Sequence, residues 1–198
     1  MKRTNYIKWS RAMILSDLLG TTTWMSLTTF MIMAKNAMGN TSIPIFEMII
    51  FLTALVGIKV AHTKWVTLRG GQLASITQET IFLIALYISL IITKDLAIAG
   101  YIVYGVIIGS AVIRKITGET SRAYEQKEFN TDSSNKALKL IRKAADLTTT
   151  IGGAIGSSIA VVAISVLHID IIQFTMVMLI LNVIQNMYDY YLWFKYLR

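Results

Sequence analysis

Almost all the positive charge in this chain falls in alternate gaps between its apolar stretches. Six such stretches run over residues 12–34, 43–62, 73–93, 96–113, 144–167 and 171–194. Each is long enough for an α-helix to cross roughly 30 Å of hydrocarbon. Lys2, Arg3, Lys8 and Arg11 precede the first stretch, and Lys64 and Arg69 separate the second from the third. Arg114, Lys115, Arg122, Lys127, Lys136, Lys139, Arg142 and Lys143 separate the fourth from the fifth. Lys195 and Arg198 close the chain, which brings the set to 16 of the 19 Lys and Arg residues. Only Lys35, Lys59 and Lys94 fall elsewhere. Short segments rich in Lys and Arg stay on the cytoplasmic side. The alternation therefore predicts an all-α integral membrane protein with six transmembrane helices and both termini in the cytoplasm.

Six spans take up most of the 198 residues, so a single transmembrane domain over 1–198 is expected, with no separate soluble one. A formal charge of +8 would suit nucleic acid, but no basic stripe interleaved with aromatics occurs in a soluble segment. The charge is read as topogenic, facing anionic lipid at the membrane surface, and no nucleic-acid partner is expected. The chain has no Cys, which excludes disulfides and thiolate metal sites. His62 and His168 are too isolated to form a metal cluster, so neither metal nor cofactor is expected. The basic start is followed by an apolar segment too long for a signal peptide, with no small-residue cleavage site after it. A Ser-His-Asp arrangement would have to draw on His62 or His168, each near a membrane surface without an evident Ser. An enzyme is not expected.

The first stretch is rich in small polar residues: Ser16, Gly20, Thr21, Thr22, Thr23, Ser26, Thr28 and Thr29. Lipid gives no reason for so many hydroxyls, whereas close helix packing or a cavity does. Pro44 suits the first turn of the second helix. Gly70-Gly71 ends a short 63–72 loop, and Lys94-Asp95 makes a tight turn. Gly100, Gly105 and Gly109 form a close-packing pattern, as do Gly152, Gly153, Gly156 and Ser157 in the fifth stretch. Residues 114–143 are expected as a cytoplasmic loop, with an amphipathic helix over Ser134–Lys143 lying along the interface. The sixth stretch ends in Tyr188, Asp189, Tyr190, Tyr191, Trp193 and Tyr196, an interfacial aromatic belt.

The ionisable groups at membrane depth are Asp17, Glu47, Lys59, Glu79 and Asp146. A charge in hydrocarbon is costly, so such groups are paired, protonated or set in a wet cavity. Asp17 reads either as a proton or cation site or as a salt-bridge partner of an interfacial base. Glu79, with Gln78 beside it, is the candidate cavity-facing carboxylate. Glu47 is expected at the outer surface, and Asp146 at the start of the fifth helix, where a carboxylate favours the N-terminus. Lys59 is expected to snorkel to the inner interface. Trp24 and the methionines around it provide either a lipophilic pocket or ordinary packing. Asn182, Gln185 and Asn186 make a polar face that bonds across helices or touches substrate.

Asn135-Lys136-Ala137-Leu138, followed by Ile151-Gly152-Gly153-Ala154-Ile155-Gly156-Ser157, resembles a motif of the major facilitator superfamily, in its drug- and macrolide-efflux branch. Gly153 stands where that family has Pro, and Ser157 where it has its last Gly. Gly57-Ile58-Lys59-Val60-Ala61-His62-Thr63-Lys64-Trp65 occupies the place of the family's loop between helices 2 and 3. Ala61 and His62 replace the Asp and Arg of that loop's charge latch. The resemblance implies an N-terminal-half-like bundle of six helices that needs a second copy, or a separately encoded second half, to enclose a cavity. It further implies a half-size transporter of the cell membrane. Such a protein works as a homodimer and exports a hydrophobic or cationic small molecule or peptide, driven by protons. Two alternatives stand beside it. One is a non-transporting immunity, sensor or assembly protein on the same scaffold. The other is the substrate-binding subunit of an energy-coupling-factor vitamin transporter, whose small-residue stripe on helix 1 is not matched by this Thr-rich segment.

Overall fold

Hydroxyl side chains shape the first helical rod. The computed structural model describes residues 3–39, 42–61, 66–129 and 136–198. Here α1 (Arg3–Ser26) and α2 (Thr28–Ala37) follow each other with a break at Leu27. Ahead of the break, Thr22 and Ser26 donate back to the carbonyls of Leu18 and Thr22. Such back-bonds weaken and bend a helix. The Leu27 amide then bonds Trp24 O at 3.1 Å, a tightened turn.

The other helices are α3 (Ser42–Ala61), α4 (Leu68–Ile92), α5 (Leu96–Phe129), α6 (Lys136–Val161) and α7 (Ile171–Leu192). A π turn extends α6 over Val162–Val166, and another extends α7 over Trp193–Leu197. No strand occurs among the described residues. Thr67, Asp95 and Asp170 cap the starts of α4, α5 and α7 through side-chain oxygens that accept backbone N–H bonds.

Five helices are long and apolar enough to cross a membrane: Pro44–Ala61, Leu68–Ile92, Leu96–Phe129, Lys136–Val166 and Ile171–Leu197. The 12–34 stretch, expected as one span, is divided at Leu27. Its first part is diluted by hydroxyls and Asp17, and its second, α2, has 10 residues. The α1–α2 rod nevertheless runs the length of the bundle. It lies antiparallel to α7, with Ser16 beside Asp189 and Thr23 beside Asn182. It lies parallel to α6, with Gly152 on Leu18 and Gly156 on Thr22.

The 114–143 segment differs from its expectation. α5 continues without interruption to Phe129, and α6 begins at Lys136. Between Ile113 and Phe129 there is one Gly, Gly118, and no Pro, and helix-favouring Lys, Arg, Glu, Gln and Ala predominate. A 34-residue helix is about 50 Å long and overshoots the hydrocarbon core. The expected interfacial helix is fused to the fifth span because no Gly or Pro separates Lys136 from Ile151. Asp146 is therefore an exposed interior position of α6 rather than its N-terminus.

Three apolar clusters result, the smallest being Ala160, Ala163 and Phe174. One of the larger two contains Leu27, Phe30, Leu83, Leu86, Leu90, Val103 and Leu179. The other gathers Tyr6, Trp9, Leu68, Phe129, Leu138, Leu192 and Leu197 at the basic end. Tyr6 donates to Glu125 Oε1 at 2.6 Å, and Arg142 bonds the other carboxylate oxygen. Burial, and then the Glu125 carboxylate, push the Tyr6 phenol far above its ordinary value, so it remains an O–H donor.

Glycine sets the α1–α6 distance. A Cβ on Gly152 would stand 2.8 Å from Leu18 O, and one on Gly156 would overlap Thr22 O. Gly153 has only Met25 near it, at 3.8 Å, and Ser157 is exposed. Gly156→Ala and Gly152→Ala should each lower stability by about 1–3 kcal/mol through overpacking. Gly118→Ala, with nothing within 4 Å, should be neutral or stabilising. Equilibrium unfolding in mixed micelles checks all three.

Candidate functional site: a polar column along α7

In α7 the residues Asn182, Gln185, Asn186 and Asp189 recur at i, i+3, i+4 and i+7 and so share one helix face. That face is turned into the bundle, where all four are buried. In an apolar layer each such group needs a protein partner. Asn182, fully buried, accepts from Thr23 Oγ1 at 2.7 Å and donates to Met178 O at 3.1 Å. Asn186 donates to Thr80 Oγ1 at 3.2 Å. Gln185 Nε2 donates to Ser16 Oγ at 2.7 Å and to Asp189 Oδ2 at 2.5 Å. Ser16 donates in turn to Asp189 Oδ1. One turn on, Tyr190 donates to Thr77 Oγ1 at 2.8 Å, and Trp193 Nε1 to Arg69 O at 2.9 Å. From Asn182 to Trp193 the column covers about 16 Å of helix.

Asp189 is 6% exposed and takes its bonds from neutral donors alone. The ion pairs among the described residues are Arg3–Glu128, Lys35–Glu47, Arg122–Glu119 and Arg142–Glu125, none of which involves it. Asp17 and Glu79 lie within electrostatic reach of its carboxylate. Three carboxylates thus share this part of the bundle with no cation bonded to any of them.

The structure brings several sequence candidates together here. Glu79 accepts the Trp24 indole N–H at 2.9 Å, which ties α4 to α1. Asp17, half-buried, has no hydrogen-bond or ion-pair partner among the described residues. Asn182 and Asn186 belong to the column. Gln78 faces away from it, with its amide against Val106 O at 3.4 Å and against Gly109 of α5. Gly57 and Lys59 lie at the far end of α3: Gly57 is buried against Val112 O, and Lys59 is exposed. His62 and Lys64 are outside the described residues. Glu47 pairs with Lys35 at 3.1 Å and accepts from Tyr104 at 3.3 Å.

Sequence reasoning missed Ser16 and Asp189 as a pair. Asp189 sits among aromatics that read as a belt, yet it continues the Asn182, Gln185, Asn186 stripe by one step, and that spacing was the available signal. Asp189→Leu leaves the Ser16 hydroxyl and one of the two Gln185 N–H groups without an acceptor and should cost about 1–3 kcal/mol of stability. Asp189→Asn keeps an acceptor and should lose less than half as much. Unfolding of the two variants in parallel checks the ordering, and equal losses would assign the effect to the charge instead.

No protein-family model, no curated protein and no solved structure matches this chain. Its chemistry is therefore argued from the residues of the column and their surroundings.

Proposed function

We propose that the chain is a proton-coupled transporter subunit of the cell membrane, resembling half of a major facilitator superfamily protein. In this reading the α1–α2 rod is a sixth span and the basic end faces the cytoplasm, as do both termini. Two copies enclose one cavity and export a hydrophobic or cationic small molecule or peptide. The observation that carries the reading is Asp189. It is a buried carboxylate held by neutral donors, with Asp17 and Glu79 near it, in a polar column reaching the basic end. Carboxylates placed this way within membrane helices mark proton and ion paths. Support for a second copy comes from α6, whose exposed face carries Thr150, Ala154, Ser157 and Ser158. Small residues of this kind let helices approach closely in lipid.

Proteoliposomes containing the purified chain and a trapped pH dye test the coupling. An ethidium gradient should drive proton movement, and Asp189→Asn or Glu79→Gln should remove it. Unchanged proton flux in both variants would sink the coupling claim, and a strictly monomeric chain in bilayers would sink the homodimer. The absence of native Cys gives a clean test of orientation. Asn36→Cys should react with an impermeant maleimide in intact cells, and Lys127→Cys only after lysis.

A second reading, a non-transporting membrane protein on the same scaffold, is favoured by one observation. Among the described residues no buried side-chain nitrogen or oxygen lacks a partner, as expected of a column whose work is to hold helices together. That reading predicts the stability losses above with no dye or proton flux at all.

A further inference from the structure

A groove runs between the α1–α2 rod and α5, away from the α7 column. Its first part, about 240 Å³, is walled by Trp24, Met31, Val106 and Ile107, with Ser110 and Arg114 at one end. Met31 and Ile107 also line a second cavity of about 260 Å³, which ends at Lys35, Glu47 and Tyr104. The two cavities adjoin at these shared walls, in line along one groove. From Val103 to Arg114 it follows about 16 Å of α5.

The two ends differ in their charge state. At the far end Lys35 is already neutralised by Glu47 at 3.1 Å, with Tyr104 donating to the same carboxylate. At the near end the guanidinium of Arg114 has no ion-pair or hydrogen-bond partner among the described residues. Ser110, one turn away on the same face, donates to nothing among them either. Most membrane-level hydroxyls here behave otherwise: Thr53, Thr77, Thr80 and Thr175 each bond a carbonyl of their own helix or a neighbour. An unpaired guanidinium and an unbonded hydroxyl at the mouth of an apolar groove form an anion seat with a slot behind it. A guanidinium is suited to carboxylate and phosphate heads, which it binds through paired N–H bonds.

We propose that this groove binds a long-chain fatty carboxylate, its head on Arg114 and Ser110 and its tail along Trp24, Met31 and Ile107 toward the Lys35–Glu47 pair. One slot admits one chain, which argues for a free fatty acid over a two-chain bilayer lipid. The binding does not depend on transport, so its failure and the failure of proton-coupled flux are separately visible.

The test uses the full chain in phosphatidylcholine nanodiscs, titrated calorimetrically with laurate, dodecanol and dodecyltrimethylammonium, and corrected for empty discs. Laurate should bind saturably at one per chain and shift the tryptophan emission, a shift absent from Trp24→Phe. Arg114→Gln should weaken laurate by about tenfold or more, the loss of one charge-assisted contact, and leave dodecanol unaffected. Arg114→Lys should restore part of the affinity. Lys115→Gln, an exposed neighbour outside the groove, should bind as the parent does. Three results would overturn the proposal. The first is dodecanol or the ammonium binding as tightly as laurate. The second is Lys115→Gln losing as much as Arg114→Gln. The third is displacement of laurate by phosphatidylglycerol in the disc at comparable affinity, which would hand the groove to bilayer lipid.

Discussion

A polar group in hydrocarbon keeps its free energy only when another protein group satisfies it, since no water is there to do so. In this bundle the α7 stripe has that need, and the faces of α1 and α4 that meet it supply the partners. Ser16, Thr23, Thr77 and Thr80 are all hydroxyls, able to donate or accept as the partner requires. The apolar side chains around them add contact but little directional force, because lipid tails are as apolar as leucine. Helix order in this half of the bundle is thus set by hydrogen bonds made at specific heights, and the α1–α6 glycines let the rod sit close enough on its other side.

At the basic end the balance of forces reverses. α5 and α6 project beyond the length a membrane core needs, and Tyr6, Trp9, Phe129, Leu138 and Leu197 close over one another there. Each large apolar side chain removed from water contributes about 1.5–3 kcal/mol. Glu125, buried in this cluster, is met by both Tyr6 and Arg142. Two buried carboxylates in one chain are therefore stabilised in different ways, Glu125 by a cation and Asp189 by neutral donors. The difference follows from location, since Arg142 projects from the helical extension and, among the described residues, no basic side chain bonds Asp189.

Much of the architecture was legible because helix length and apolar content are local properties. Five of the expected stretches appear as helices long and apolar enough to cross a membrane. The first did not behave as one unit, since its hydroxyls bond back to their own helix and a residue count is blind to that. The 114–143 segment falls outside the apolar stretches, yet its Lys, Arg, Glu and Ala are good helix formers and carry α5 on to Phe129. Site residues were harder to place. Gln78 and Glu79 are adjacent, yet a step of about 100° around the helix sends one to α5 and the other to α1. Composition cannot say which neighbour each will meet, because that depends on the rotation of α4 against both.

The same blindness applies to the positive charge. A topology argument counts cations per gap and gives each equal weight. Their surroundings divide them: Arg3, Arg122 and Arg142 have carboxylate partners, and Lys195 and Arg198 lie over aromatic rings. Arg114 has the apolar groove beside it. A lone arginine near the end of a membrane helix ordinarily extends to the headgroup layer, and long-chain snorkelling alone would explain its exposure. It would not explain why Ser110, a turn below, forgoes the bond to its own helix that Thr77 and Thr80 make, nor why the cavity between them is walled by Trp24 and Met31. Charge count accounts for Arg114 being at this end of the molecule; the hydroxyl and the groove distinguish it from the other cations there.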